Sequence, residues 1–244
     1  MSKDLFSNQA STYAKYRPVY PKDLLDHILQ FVKEKNMVWD CATGNGQAAY
    51  SLASYFKKVI ATDTSEKQLA LAKQHPNIQY QVAAAEHTPF PENSFDLVTV
   101  AQAYHWLQFE SFEKEVRRVA KKDAVIAVWG YNLFTTENEA INQLVKKFYS
   151  EIVGPYWDKE RKLVDDNYST IPFNFDPLPT KEFFIKSEWT KEDLIGYLNS
   201  WSSVQHFINA RKYNPVNDII NDIDNLWKDV NAVTFPLFLK LGRV

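Results

Sequence analysis

Short apolar runs and stretches of helical spacing alternate along the first half of the chain. Met37–Cys41, Lys58–Asp63, Ile78–Val82, Phe95–Ala101 and Val125–Trp129 are short runs carrying Val, Ile and other apolar residues, and each predicts a strand. Between them the period changes. Leu24, Leu25, Ile28, Leu29 and Val32 form one stripe of a helix that opens at Pro21, a residue suited to a first turn. A second helix is predicted from about Gly46. A third runs from Ser65, whose hydroxyl suits an N-cap, to a point before Pro76, and a fourth spans about 110–121. Pro89 and Pro91 mark a loop. Strands alternating with helices predict a parallel sheet covered on both faces.

The alternation breaks after Tyr131. Residues 131–181 hold one helical pattern, Glu137–Ile152, and a loop rich in Pro and Asn, Ile171–Pro179. They read as an insertion over the open carboxyl edge of the strands, where ligands bind in such sheets. Glu182–Trp189 and Val233–Leu241 read as the last two strands. Residues 1–20 lack glycine but carry Tyr13, Tyr16, Arg17 and Tyr20. They are too aromatic for a disordered tail and too aperiodic for an independent helix, which suggests a lid that closes over a ligand. The chain, 1–244, reads as one domain with this lid and the inserted cap.

The turn after the first strand carries the clearest chemistry. The chain has only six glycines in 244 residues, and Gly44 and Gly46 sit one residue apart there. A strand, a glycine turn and a helix N-terminus make a cradle for a nucleotide-type ligand. Asp63, at the end of the next strand, can accept bonds from ribose hydroxyls. Gly44-Asn45-Gly46-Gln47-Ala48-Ala49 also fits the dinucleotide pattern G-x-G-x-x-A, a weak match on its own. Asp40 tips the balance. A buried carboxylate beside the loop repels a pyrophosphate and favours a cationic ligand, such as the ammonium and sulfonium of S-adenosylmethionine. The plainer alternative is a carboxylate that only caps the loop through backbone N–H groups.

With these residues the chain resembles the class I S-adenosylmethionine-dependent methyltransferases. Asp40-x-x-x-Gly44-x-Gly46 is similar to the family's first motif, and Asp63-Thr64-Ser65 to its ribose-binding strand end. Ala85-Glu86-His87-Thr88-Pro89-Phe90 and Ser94-Phe95-Asp96-Leu97-Val98 resemble the segment that passes the adenine. Phe112 and Glu115 to Val119, then Val125–Trp129, resemble the next helix and strand. Four segments look like the trans-aconitate-methyltransferase-like small-molecule branch: Phe6-Ser7 through Tyr13 to Tyr16-Arg17-Pro18-Val19-Tyr20-Pro21, Gln102-Ala103-Tyr104-His105-Trp106, Trp201-Ser202 and Leu241-Gly242-Arg243.

The resemblance implies a Rossmann-like, doubly wound α/β fold: a seven-stranded, mostly parallel sheet with an antiparallel edge and an inserted cap. It implies S-adenosyl-L-methionine as cofactor, held by Tyr13, Arg17, Asp40, Ala42, Gly44, Gly46, Asp63, Thr64, Ala85, Glu86 and Gln102. Two positions depart from the family. Ala42 replaces its first glycine, a cheap change if the backbone there keeps a negative φ. Ala84 stands where many members place an acid for the adenine, which shifts that task to Glu86 and the backbone near Ala85.

Charge narrows the partners. Lys and Arg number 28 against 30 Asp and Glu, for a net charge of −2, which argues against nucleic acid. No apolar stretch approaches the ~20 residues that span a bilayer, and Met1–Asn8 lacks the apolar run of a signal peptide. The single cysteine, Cys41, is expected to be buried and fits a reducing, cytoplasmic setting. Monomer and homodimer both remain open. The five histidines show no metal-ligand spacing, so no metal is expected.

The acceptor is expected beside Tyr104, His105 and Trp106, after the fourth strand. His105 can act as general base for a hydroxyl, donate a hydrogen bond to a carboxylate, or merely pack. Trp129 and Tyr131 read as pocket wall, with core packing the alternative for Trp129. Arg17 and Arg161 can each pair with a carboxylate of donor or acceptor; the alternative for each is a solvated surface arginine. Arg117, Arg118, Lys121 and Lys122 are assigned to the last turn of the fourth helix, where cations suit the dipole. The expected function is methylation of a small molecule, at a carboxylate oxygen. The alternatives are hydroxyl methylation with His105 as base, a nicotinamide-dependent oxidoreductase, and a noncatalytic S-adenosylmethionine-binding protein.

Overall fold

A computed structural model describes residues 16–244. Its core is β1 (Met37–Cys41), β2 (Lys58–Asp63), β3 (Ile78–Val82), β4 (Phe95–Ala101) and β5 (Ala120–Tyr131), all parallel, with β9 (Asn231–Arg243) antiparallel to β5. β8 (Phe183–Trp189) pairs along the other edge of β9, also antiparallel. The main path runs β3-β2-β1-β4-β5-β9. The order reverses between β1 and β4, which opens a crevice at their carboxyl ends. Two pairings of two residues each, β6 (Thr135–Thr136) and β7 (Asp176–Pro177) on β9, bring the sheet to nine strands among the described residues rather than seven.

α1 (Lys22–Leu29), α2 (Gln47–Leu52), α3 (Glu66–Ala70) and α4 (Phe109–Val119) are the helices of the alternating half. They divide the apolar core between the two faces of the sheet. Leu24, Leu25 and Ile28 of α1 pack on one face with Val38 and Val59. On the other, Trp39 is fully buried beside Phe90, Phe95 and Phe112, and its indole N–H donates to Thr62 Oγ1 at 2.8 Å. Each such side chain contributes roughly 1.5–3 kcal/mol of burial, and the hydrogen bond removes the cost of hiding the indole nitrogen.

Several boundaries differ from the sequence reading, each for a local reason. Ser65 caps α3 by accepting from Gln68 N, but the helix ends at Ala70, well short of Pro76. The Tyr80 hydroxyl donates to the Lys73 carbonyl and holds the exit as irregular chain. α4 ends at Val119, so Lys121 and Lys122 lie on β5 and not in a helical turn. The ammonium of Lys121 pairs at 2.5 Å with Asp96, which is 5% exposed and also accepts from the backbone of Asn36 and Met37. That buried carboxylate draws the start of β5 against β4 and β1. Val32 lies beyond α1 yet is buried.

In the insertion, α5 (Glu139–Lys147) starts at Asn138, whose side chain caps Ala140 N, and ends in one wider turn, Phe148–Ile152. The short α6 (Arg161–Asp165) packs on a 3-10 turn, Tyr104–Trp106, that follows β4. A second helical excursion was not apparent from sequence. α7 (Lys191–Asn199), α8 (Ser202–Arg211) and α9 (Ile220–Leu226) fill the chain between β8 and β9. No helix among the described residues is long and apolar enough to cross a membrane.

The loop after β1 departs from expectation at one residue. Ala42 has φ +52°, inside the left-handed region, so alanine there is strained. The condition under which alanine would be cheap is not met, because the chain turns at once to bring Thr43 N onto the Thr62 carbonyl at 2.8 Å. An L-residue in that region costs roughly 1–2 kcal/mol, while glycine costs roughly 0.5–1 kcal/mol in unfolded-state entropy. Ala42→Gly is therefore expected to stabilise the protein by about 0.5–1 kcal/mol, read as a higher urea midpoint at unchanged slope. A lower midpoint would contradict the strain.

Candidate active site

The donor half lies where β1 and β2 end. Gly44 (φ +57°) and Gly46 (φ +77°) are both left-handed. Nothing lies within 4 Å of where a Cβ on Gly44 would sit, so the space before it is open. A Cβ on Gly46 would strike the Tyr80 ring, 2.2 Å from its hydroxyl. Gly44 N donates to Asp63 Oδ2 at 2.9 Å, and Ser65 N to Asp63 Oδ1 at 2.9 Å. Asp63 thus ties the glycine turn to the end of β2. Thr64 beside it is exposed.

Asp40 is wholly buried. It accepts from the hydroxyl of Thr43, from Thr99 Oγ1 at 2.7 Å and from the backbone of Ala49 in the first turn of α2. Burial, with a smaller effect of Asp63, still pushes its carboxyl up to about 6. Asp40 therefore caps the loop, as the plainer reading had it, and also places a negative charge beneath the turn. Two acids and an open glycine turn suit a cationic ligand.

Ala85 and Glu86 lie in a turn closed by an Ala84–His87 bridge. Glu86 Oε1 accepts from Gln108 N at 2.9 Å, at the start of α4. Arg118 holds the same loop: it pairs with buried Glu115 at 2.6 Å and donates to the carbonyls of Thr88 and Phe90. The conformation that presents Ala85 and Glu86 is fixed by α4.

The acceptor half is a cleft at the carboxyl end of β4. Gln102, His105 and Trp106 line it from the sheet side and Arg17 from the N-terminal segment. Trp157, Asp158 and Arg161 close it from the insertion, and Ser202 from α8. Gln102 (φ +53°) is locked to β5: its side chain accepts from Tyr131 N at 2.7 Å and donates to the Tyr131 carbonyl. Arg17 donates to Tyr131 Oη at 3.0 Å and the Ser200 carbonyl at 3.2 Å, and its guanidinium lies over the Tyr197 ring. It is half-buried, not a surface arginine.

Arg161 is also no solvated residue, its side chain being 18% exposed. Its Nε donates to Tyr149 Oη at 2.7 Å and Asp165 Oδ1 at 3.1 Å, and its guanidinium lies over the Tyr149 and Trp157 rings. The two terminal amino groups make no hydrogen bond among the described residues, which leaves a desolvated cation with open donors. Asp158 Oδ2, buried, lies 3.8 Å from His206 Nδ1. The His105 ring stacks obliquely on Trp106, and its Nδ1 is 2.8 Å from Tyr168 Oη. Burial, reinforced by the charge of Arg161, lowers His105 to about 3, so it is neutral at pH 7.

Two residues expected in the pocket are not brought to it. Tyr104 is buried in the core under α4, its hydroxyl donating to the Pro172 carbonyl at 3.0 Å. Trp129 is fully buried edge-on against Tyr20. Strand alternation explains the second: Trp129 points into the core on one face of the sheet and Val128 into the core on the other. Tyr131 is 3% exposed and meets the cleft through Arg17 and through its backbone bonds to Gln102. Tyr13 lies outside the described residues. Trp157, Asp158, Tyr168 and Ser200 were not singled out as site residues from sequence; Trp157, next but three to Arg161, was the one with a visible signal. Asp63→Ala removes the turn anchor together with the ribose contact expected of it, and is expected to weaken donor binding by about 1.5–3 kcal/mol. Gly44→Val, filling the open space with a β-branched residue at positive φ, should abolish binding. Calorimetry checks both, and wild-type affinity in either would refute the cradle.

Comparisons with known proteins agree with this geometry. The family described as a methyltransferase domain matches residues 39–128, from within β1 into β5. A methyltransferase-family protein of Dictyostelium discoideum is 32% identical over 98% of this chain and 95% of its own length. An S-adenosylmethionine-dependent methyltransferase of Saccharomyces cerevisiae is 30% identical over 68% of this chain and 59% of its own. Among solved structures, a type II methyltransferase from Anaeromyxobacter dehalogenans superimposes with a TM-score of 0.86 at 33% identity, covering 93% of this chain and 98% of that one. The chain belongs to the class I S-adenosylmethionine-dependent methyltransferases.

Proposed function

We propose that the protein methylates a carboxylate oxygen of a small molecule, with residues 131–181 as the cap over that acceptor. The observation that carries this reading is the desolvated Arg161, its terminal amino groups open to a cleft shared with Arg17 and neutral His105. A guanidinium with free donors in a dry aromatic setting recognises a planar carboxylate well. When bound, S-adenosylmethionine supplies a methyl carbon on cationic sulfur: a carboxylate lone pair forms the new C–O bond, and the S–C pair returns to sulfur. No proton changes hands, so no base is needed. The protein's task is to hold the carboxylate in line and exclude water, with Arg161 and Arg17 fixing it and Trp106 and Trp157 as walls. Gly44, Gly46, Asp63, Thr64, Ala85, Glu86 and Gln102 would hold the donor, over the buried charge of Asp40.

The hydroxyl alternative requires a base. His105, lowered to about 3, is a weak one at neutral pH, far from the match a general base needs. A mass-spectrometric search for +14 products from a carboxylic-acid library tests the proposal; products only from alcohols, phenols or macromolecules would overturn it.

Two predictions follow from these charges. Arg161→Gln should cut kcat/KM for the carboxylate about 10²-fold, the range of ~2–3 kcal/mol for a lost charge-assisted bond, with donor affinity within about threefold of wild type. A loss confined to donor affinity would assign Arg161 to the wrong half. The second concerns Asp40. Free protein holds its proton below about 6, and a cationic ligand favours the ionised form. Binding must expel that proton at low pH, so donor affinity should fall as pH drops from 7 to 5, by at most about tenfold per unit. Asp40→Asn should flatten the dependence. Calorimetry across that range decides, and equal wild-type affinity at pH 5 and 7 would remove Asp40 from donor recognition.

A further inference from the structure

His105 can serve an acceptor in two opposite ways, and the difference lies in which ring nitrogen carries the proton. A bare Nε2 toward the cleft is a base; an Nε2–H is a donor. The choice is made behind the ring, where Nδ1 lies 2.8 Å from Tyr168 Oη. Tyr168 is fully buried, wedged edge-on against the rings of Tyr104 and Phe238. Its position is not a by-product of ordinary chain geometry. Asn167 and Tyr168 are consecutive non-glycine residues in the left-handed region, both at φ +54°, and Tyr168 N donates to the Leu163 carbonyl at 2.8 Å. Such strain persists only where the surroundings over-determine it.

The phenol has one proton and two lone pairs. Among the described residues the Tyr168 hydroxyl makes one hydrogen bond, to His105 Nδ1, and a hydroxyl proton this deeply buried needs an acceptor. Nδ1 is the one in reach, so Nδ1 accepts. Burial raises the phenol well above its ordinary value, so that proton stays on the oxygen. Among the charged groups at the cleft, Arg161 acts on the imidazole and disfavours its cation, while Arg17 is tied to Tyr131 and Ser200, and Asp158 faces His206. We propose that Tyr168 is a positioning residue that holds neutral His105 as the Nε2–H tautomer, so that His105 presents a hydrogen-bond donor and not a base, which restricts the acceptor to an oxygen already ionised.

This rests on the methyltransferase reading for its consequence, but the tautomer itself can be read with neither donor nor acceptor present. Nitrogen-15 spectra of histidine-labelled protein at pH 7, with His105 assigned by the signal missing in His105→Gln, should show protonated Nε2 and bare Nδ1. In Tyr168→Phe the Nδ1–H form should appear. A wild-type Nδ1–H tautomer or an imidazolium overturns the proposal, whatever acceptor is found. Should Tyr168→Phe not fold, two variants of His105 carry the same question. The glutamine amide N–H reaches near the place of Nε2, and that of asparagine near Nδ1. His105→Gln should keep turnover within about tenfold and His105→Asn lose about 10²-fold, with a flat wild-type rate between pH 6 and 8. Equal losses in both variants, or a rate that rises through a titration, would make His105 a base and sink the assignment. A confirmed Nε2–H tautomer with methyl transfer only to neutral hydroxyls would overturn the restriction to ionised oxygen.

Discussion

Burial of the Asp40 carboxylate at the sheet's switch point is the constraint around which the site is arranged. A carboxyl held at about 6 against an ordinary 3.8 is disfavoured as an anion by about 3 kcal/mol. Three neighbours limit that cost, and each belongs to a different element: Thr43 in the glycine loop, Thr99 on β4 and Ala49 in α2. Satisfying one charge therefore fixes the relative positions of two strands, a loop and a helix start. Asp63 repeats the arrangement one strand over, drawing Gly44 N and Ser65 N together. The remaining electrostatic deficit is one that a cation can relieve.

The opposite polarity prevails a few residues away. Past β4 the cleft collects Arg17 and Arg161, offset in part by Asp158. Four separate stretches of chain build it: the end of β4, the N-terminal segment, the insertion, and the helices between β8 and β9. An anionic site next to a cationic one suits two reactants of opposite charge whose reaction cancels both. A low-polarity enclosure favours such a neutralisation, although the weight of desolvation in catalysis is contested.

Much of this was legible in the sequence where local pattern and tertiary role coincide. β1 to β4 have the bounds read from the sequence: β1, β2 and β4 are buried along most of their length and bracketed by polar residues, Gly or Pro, whereas β3, an edge strand with no buried residue, is set off by Pro76. The glycine turn and Asp63 were visible for the same reason. β5 was read too short because Lys121, Lys122 and Asp123 look like a helix end or loop, whereas Asp96 makes a buried place for Lys121. α8 and α9 escaped because they offer few buried apolar positions to make a stripe: α8 buries only Ser203, Val204 and Phe207, and α9 only Ile223. Tyr104 and Trp129 were drawn toward the pocket by proximity in sequence to His105 and Tyr131, but side-chain direction sends them into the core. Tyr168 could not be seen, since it reaches His105 across 63 residues by a backbone conformation its residue type does not favour.

Arg17 and Pro18 are adjacent, yet they hold different halves of the site. The Pro18 carbonyl accepts from Gln47 Nε2 at 2.9 Å, at the start of the helix that follows the glycine turn. Arg17 grips Tyr131 and Ser200 beside the cleft. The two anchors are one residue apart in the chain, so a displacement of either is shared between the side-chain torsions of Gln47 and Arg17 and a strap two residues long. Whatever factor donor occupancy contributes to acceptor affinity, acceptor occupancy must return to the donor, because the coupling is one free energy shared by both.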